Sequence, residues 1–205
     1  MRATSSGFWP PSVRVWIRMD ELIARLAAVT IGETFNFYRD GPGAATRRER
    51  LSAYLESGRD ARLLLVGEAA GYRGARVSGV PFTSERQLSG EGPAEATATI
   101  VRRVLAELEL EEETLCWNVV PTHPHLPGRP DTNRRPTHAE IRASAPFLRA
   151  LARERRVLAV GRVAQIVLGA PYVRHPSHGG ATDFRRGLLR FGLGGRGVRR
   201  FSATT

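Results

Sequence analysis

No lysine occurs among the 205 residues of this chain. That removes the P-loop class at once, because its Gly-Lys-Ser/Thr phosphate cradle needs one. Cysteine is nearly absent too: Cys116 is the only one, so an intrachain disulfide cannot form. No apolar run reaches 18 residues, so a membrane-spanning helix is not expected. Residues 1–18 hold three arginines and Trp9-Pro10-Pro11 in place of the continuous apolar stretch of a signal peptide. Together with the lone cysteine, this points to the cytoplasm. No strand-loop-helix carries GxGxxG, and the glycine-rich Gly192–Gly197 stretch has no helix after it to bind a phosphate.

Arginine fills the space that lysine leaves. All 31 basic residues are arginine, and the formal net charge is +11. An arginine-preferring codon usage explains the missing lysine but not where the charge lies. Residues 1–128 carry 15 arginines against 16 acids, whereas residues 129–205 carry 16 against 4. A one-sided basic field is the footprint of a nucleic-acid binder. Hydrophobic content of 41% and charged content of 25% are ordinary for a globular domain with a real core.

Hydrophobic periodicity alternates strand, loop and helix. Leu63 to Val66, Leu115 to Val120, Val157 to Val160 and Pro171 to Arg174 read as short buried strands. Between them, Arg47 to Leu55, Ala94 to Leu108, a stretch opened by the capping box Thr137-x-x-Glu140, and Val163 to Leu168 read as helices. Met19 begins a further helix, with Leu22, Ile23, Leu26 and Ala27 at helical spacing. Val80 to Pro93 reads as a turn-rich loop, and Phe35 to Tyr38 as a segment packed on the domain. The expectation is a three-layer α/β/α sandwich around a mostly parallel four-stranded sheet. Residues 19–191 would form the single domain, with a disordered extension at 1–18 and a flexible basic tail at 192–205. Met19 is also a candidate native start.

Four segments in chain order carry the chemistry. Gly67-Glu68-Ala69-Ala70-Gly71 ends the first strand, Gly79-Val80-Pro81-Phe82 follows, Asn118 lies in the second strand, and His175-Pro176-Ser177 follows the fourth. Beyond the carboxyl ends of parallel strands is where open α/β sheets bind ligands. This order resembles the uracil-DNA glycosylase superfamily over Arg62 to Phe191, closest to the branch written GEAPG…G-x-PF…TNVV…NR-x-P…HPS. The resemblance implies a monofunctional glycosylase. It would flip uracil, or a related deaminated base, out of DNA and hydrolyse its N-glycosidic bond, as a monomer without a cofactor.

The resemblance also assigns roles, each with a plainer reading beside it. Phe82 would stack on the flipped base; alone it reads as a core phenylalanine. Asn118 would read uracil N3–H and O4 with its amide; alone it reads as a backbone-capping asparagine. Gly67 and Ala69 would line the base site. His175 would donate to uracil O2 as charge develops there, and Glu68 would either orient water or support the cationic sugar. Ser177, His178 and Gly179 would meet the DNA backbone or groove, together with Arg134, Arg185 and Arg186, although His178 reads equally as a solvent-facing loop residue. Sister activities on hypoxanthine, xanthine or a mismatched pyrimidine, and a non-catalytic DNA-binding module, are the alternatives.

Two departures from that branch stand out. Its iron–sulfur cluster takes four cysteines, which a lone Cys116 cannot supply. His123-Pro124-His125 occupies the corresponding segment and reads as a loop rather than a metal site. Arg73-Gly74-Ala75-Arg76 stands where the branch often carries acids that crowd the C5 side of the base. The resemblance therefore does not carry exclusion of thymine over to this chain.

Overall fold

Each central strand is apolar on both faces, and the structure shows why. In a computed structural model that describes residues 18–193, β2 (Leu63–Ala69) sends Leu64 and Val66 into one core and Leu63 and Leu65 into another. Beside it, β3 (Thr114–Val120) places Leu115, Trp117 and Val119 on the first side and Cys116 on the second. On the other flank run β5 (Arg156–Val160) and β6 (Tyr172–Val173), giving the order β3-β2-β5-β6 with every pairing parallel. A strand buried on both faces has no polar side to alternate, so period-two patterning is absent.

Helices cover both faces, as the sandwich expectation requires. Packed in the first core are α1 (Met19–Ala28), α2 (Ala44–Ser57), α6 (His138–Ala152) and α7 (Arg162–Leu168). The second holds α5 (Ala96–Glu107) and α8 (Ala181–Arg190). The buried residues of α1, Leu22, Ile23 and Leu26, are those its helical spacing selected. Its open carbonyls at Leu26 and Val29 accept from the Asn36 amide at 2.8 and 3.0 Å. Phe37 and Tyr38 are fully buried beside it.

Two features depart from the expected outline. The stretch from Val80 to Pro93 is not all loop: it contains α4 (Glu85–Ser89), opened by a capping box from Ser84 and Gln87. Separated from it by six residues, α3 (Ala75–Ser78) makes one turn behind the glycine-rich loop. Helices this short carry no readable period. The second departure is a small antiparallel pair, β1 (Thr34–Phe35) with β4 (His123–Pro124), with Thr34 opposite Pro124. It fastens the segment after β3 to the segment after α1. The expected extension, apart from Arg18, and the expected tail, apart from Gly192 and Leu193, lie outside the described residues.

Candidate active site

Because all four strands run parallel, their carboxyl ends share one edge. A cavity of about 580 Å³ opens there, lined by Gly67 to Gly71, Phe82, Asn118, His175 and Ser177, among others. The register sets Gly67 directly beside Asn118 across the β2·β3 pair. A Cβ on Gly67 would lie 2.5 Å from the Phe82 ring and 2.9 Å from Asn118 Oδ1, so only glycine lets both side chains close over this strand end. Phe82 itself holds φ at +52°, an uncommon conformation for an aromatic residue. Such strain persists where the surroundings dictate it, often at ligand sites.

Asn118 is 5% exposed, yet its amide has no hydrogen-bond partner among the described residues. It faces the cavity. A buried amide normally finds a protein partner, so the backbone-capping reading of Asn118 does not hold.

His175 is held in one tautomer. The Ser177 backbone N–H donates to His175 Nδ1 at 3.2 Å, and the Ser177 hydroxyl lies 2.8 Å from the same nitrogen. Nδ1 is therefore an acceptor, and in the neutral ring the proton sits on Nε2. Burial pushes the imidazole below its ordinary 6.5, and nearby His178 adds to the shift. A neutral Nε2–H donor results. Ser177 thus serves His175 directly, while His178 is exposed with its Nδ1 3.1 Å from the Ser177 hydroxyl.

Glu68 is half-buried on the cavity wall with no hydrogen-bond partner among the described residues. Burial raises its carboxyl above the ordinary 4.5, and the Arg135 guanidinium opposes that shift. Two wall residues that the sequence reading did not assign are Arg135 and Glu95. Arg135 is exposed and borders the cavity. It belongs to the Asn133-Arg134-Arg135-Pro136 segment, in which Asn133 and Arg134 line the cavity too. Glu95 precedes α5 and carries no motif.

Arg134 also borders the cavity, but its guanidinium is engaged within the protein. Its two terminal nitrogens lie 2.9 and 2.6 Å from the Glu140 carboxylate, and its Nε donates to the His125 carbonyl at 2.9 Å. Glu140 is 1% exposed and also accepts from the backbone N–H groups of Glu33 and Thr137. This guanidinium therefore has a structural duty, paired with a carboxylate that burial obliges to be paired. Arg185 and Arg186 lie on α8, exposed and outside the cavity lining; Arg185 sits 3.4 Å from Glu107 and Arg186 3.1 Å from Asp183. Gly179 and His178 form the exposed tip before α8, both with positive φ.

His123, expected in a loop, lies on β4, and His125 follows it with its Nδ1 2.8 Å from the Leu126 carbonyl. The two ring nitrogens of His123 lie 2.8 and 3.2 Å from the carbonyls of Ala70 and Pro130, tying the glycine-rich loop to the segment after β4. Among the described residues no three His, Cys, Asp or Glu side chains gather as a metal site. Cys116 is buried in β3 and burial pushes its thiol up to about 12, so it is a poor thiolate ligand. The residues present do not fit an iron–sulfur cluster.

The comparisons with known proteins agree with this geometry. The profile of the Uracil DNA glycosylase superfamily matches residues 55–192. No sequence among curated proteins matches the chain. The crystal structure of Pedobacter heparinus SMUG2 superposes with a TM-score of 0.62 at 12% identity, covering 84% of this chain and 94% of that one. At that identity the likeness speaks for the fold alone. The matched profile spans β2, the glycine-rich loop, Phe82, Asn118 and the His175 loop, and the chain belongs to the uracil DNA glycosylase superfamily.

Proposed function

We propose that this DNA glycosylase excises uracil from DNA by hydrolysis, leaving an abasic site. The observation that carries the proposal is the unengaged, buried Asn118 amide facing the same cavity as Phe82 and the Nε2–H of His175. An amide presents an acceptor and a donor side by side, matching N3–H and O4 of uracil. With the amide held in that orientation, cytosine, which offers the reverse pattern, would leave both groups unmatched, which costs about 1–3 kcal/mol per buried group. Phe82 gives the flipped base an aromatic face.

Breaking the bond from N1 to the sugar sends an electron pair onto the base and leaves positive charge on the sugar. His175 Nε2–H donates to uracil O2 as that oxygen gains charge. It needs only a neutral ring, because the departing uracil anion is a modest base. Glu68 serves the other charge. Its carboxylate either orients the water that adds to the sugar carbon or faces the cationic sugar directly. Ser177 fixes the ring that makes the donation, and Arg135 stands at the rim where a phosphate backbone would run.

The test is incubation with a single-stranded oligonucleotide holding one uracil, followed by alkali. Shortened product is expected from the uracil strand and not from its cytosine counterpart. Intact uracil strands under these conditions would refute the proposal. The cavity, about 580 Å³, would also hold hypoxanthine or xanthine. The same assay with those bases separates it, and binding without cleavage of any base would identify a non-catalytic member.

A further inference from the structure

His123 is fully buried between two carbonyl oxygens. Its Nδ1 lies 2.8 Å from the Ala70 carbonyl and its Nε2 3.2 Å from that of Pro130. Burial pushes the imidazole below its ordinary 6.5 against the pull of both carbonyls, and Arg76 and His125 add to the fall. A neutral ring carries one N–H, so it can serve only one of the two. Ala70 is 2% exposed and its carbonyl needs a partner inside the protein, whereas Pro130 is exposed and has water as an alternative. The proton therefore belongs on Nδ1, where the contact is also the shorter. The segment after β4 keeps another tie to the glycine-rich loop, because the Tyr72 backbone N–H donates to Asn133 Oδ1 at 3.1 Å.

We infer that His123 is a positioning residue: its Nδ1–H pins the Ala70 carbonyl and so sets where the Glu68 carboxylate stands in the cavity. The inference rests on the role given to Glu68 above. Glu68 and Ala70 both line the cavity, two places apart in the chain. No hydrogen bond holds the Glu68 carboxylate among the described residues, so its backbone alone places it. That backbone is leaving the sheet. Ala69 is the last residue of β2 in register with β3, and the Ala70 N–H makes one more bond, to the Val120 carbonyl at 3.3 Å. The Ala70 carbonyl is the next group held, and His123 holds it. His123 itself is outside the cavity lining and acts through Ala70.

Two measurements test this. The first reads the proton directly. Imidazole nitrogen NMR shifts at neutral pH, with His123 assigned by the signal lost in His123→Asn, should show the Nδ1–H form, opposite to the Nε2–H form of His175. An Nε2–H signal for His123 overturns the inference, whatever the enzyme's activity. The second reads single-turnover excision of uracil by folded variants. Asparagine carries its amide nitrogen at the position of Nδ1, and glutamine carries its own nearer Nε2. His123→Gln should lose about 10²-fold in rate, the cost of a misplacement near ~1 Å, with duplex affinity little changed. His123→Asn should recover most of that loss. Added to Glu68→Gln, His123→Gln should cost far less than it does alone, because both changes act on one carboxylate. A fully additive pair, an asparagine variant as slow as the glutamine one, or a folded His123→Gln enzyme at the parental rate overturns the inference. A parent that leaves uracil intact defeats the uracil reading instead, and the NMR arm still decides the bond that His123 makes.

Discussion

At the scale of single residues, the site works by holding ordinary groups in unusual states. Ser177 fixes His175 as an Nε2–H donor, and burial keeps the ring neutral. Removing one preorganised donor costs about 10²–10³ in rate. His175→Ala should therefore lose about that much in single-turnover excision while duplex affinity barely changes. A variant with near-parental turnover would remove His175 from the chemistry. Asn118→Asp replaces the donor that uracil O4 needs with an acceptor. Large loss on uracil is expected, with any residual release tilted toward cytosine.

The pH profile follows from the same residues. Glu68 titrates above 4.5 because it is half-buried, with Arg135 limiting the rise. The carboxylate is the useful form in either of its roles, so kcat/KM should fall on the acid side as Glu68 takes its proton. His175 protonates below 6.5, so above that pH the ring is already the neutral donor and no basic limb arises from it. Glu68→Gln should lower the plateau and flatten the acid limb. A limb that survives unchanged belongs to another group.

At the scale of elements, the segment from His123 to Glu140 holds the floor and rim of the cavity together. β4 pairs with β1, His123 bridges to Ala70, and Arg134 grips Glu140 at the start of α6. Burial by itself would raise the Glu140 carboxyl, but Arg134 and the backbone N–H groups of Thr137 and Glu33 bring it below its ordinary 4.5. A depressed carboxyl stabilises the fold at pH above its unfolded value, and that stability is lost as pH falls through the folded value. Arg134→Ala leaves a buried carboxylate unpaired, so it should destabilise the domain by about 3–5 kcal/mol. Thermal melts at neutral pH measure this directly. The penalty should shrink as pH falls, because the unpaired Glu140 can then take a proton. An unchanged melting temperature would restore Arg134 to the pool of free surface charge.

For the whole molecule, five of the arginines in the described part of residues 129–205 are engaged by the protein itself. Arg155 donates to the carbonyls of Ala61, Leu151, Gly58 and Arg59, and Arg156 donates to Phe191, at the amino ends of the strands opposite the cavity. Arg134 is committed to Glu140, while Arg185 and Arg186 face carboxylates of the protein itself. Of the exposed guanidiniums on the cavity lining, Arg162 is bonded to Gln165, which leaves Arg135 for a phosphate beside the site. Its alanine variant should lower the log–log salt slope of DNA binding by about 0.7–0.9. Arg185→Ala/Arg186→Ala should change the slope by less, because exposed pairs are already partly neutralised. A larger change in the double variant would move the DNA path toward α8.

What the sequence determined by itself was local and additive. Apolar runs marked β2, β3 and β5, helical spacing marked α1 and α5, and Thr137 with Glu140 marked the start of α6, because strand burial, amphipathicity and capping are written within a few residues of one another. Order along the chain was enough to nominate Gly67, Glu68, Phe82, Asn118 and His175, since parallel strands deliver their ends to one edge. Tertiary structure decided what depends on partners distant in sequence. Only packing shows that Glu140 consumes Arg134, that β1 meets β4 nearly ninety residues later, or that Ser177 sets the tautomer of His175. Only packing brings Glu95 against Gly74. A charged side chain reads the same in a sequence whether it faces solvent, a carboxylate or a substrate, because its role is set by the groups the fold brings within a few ångströms of it.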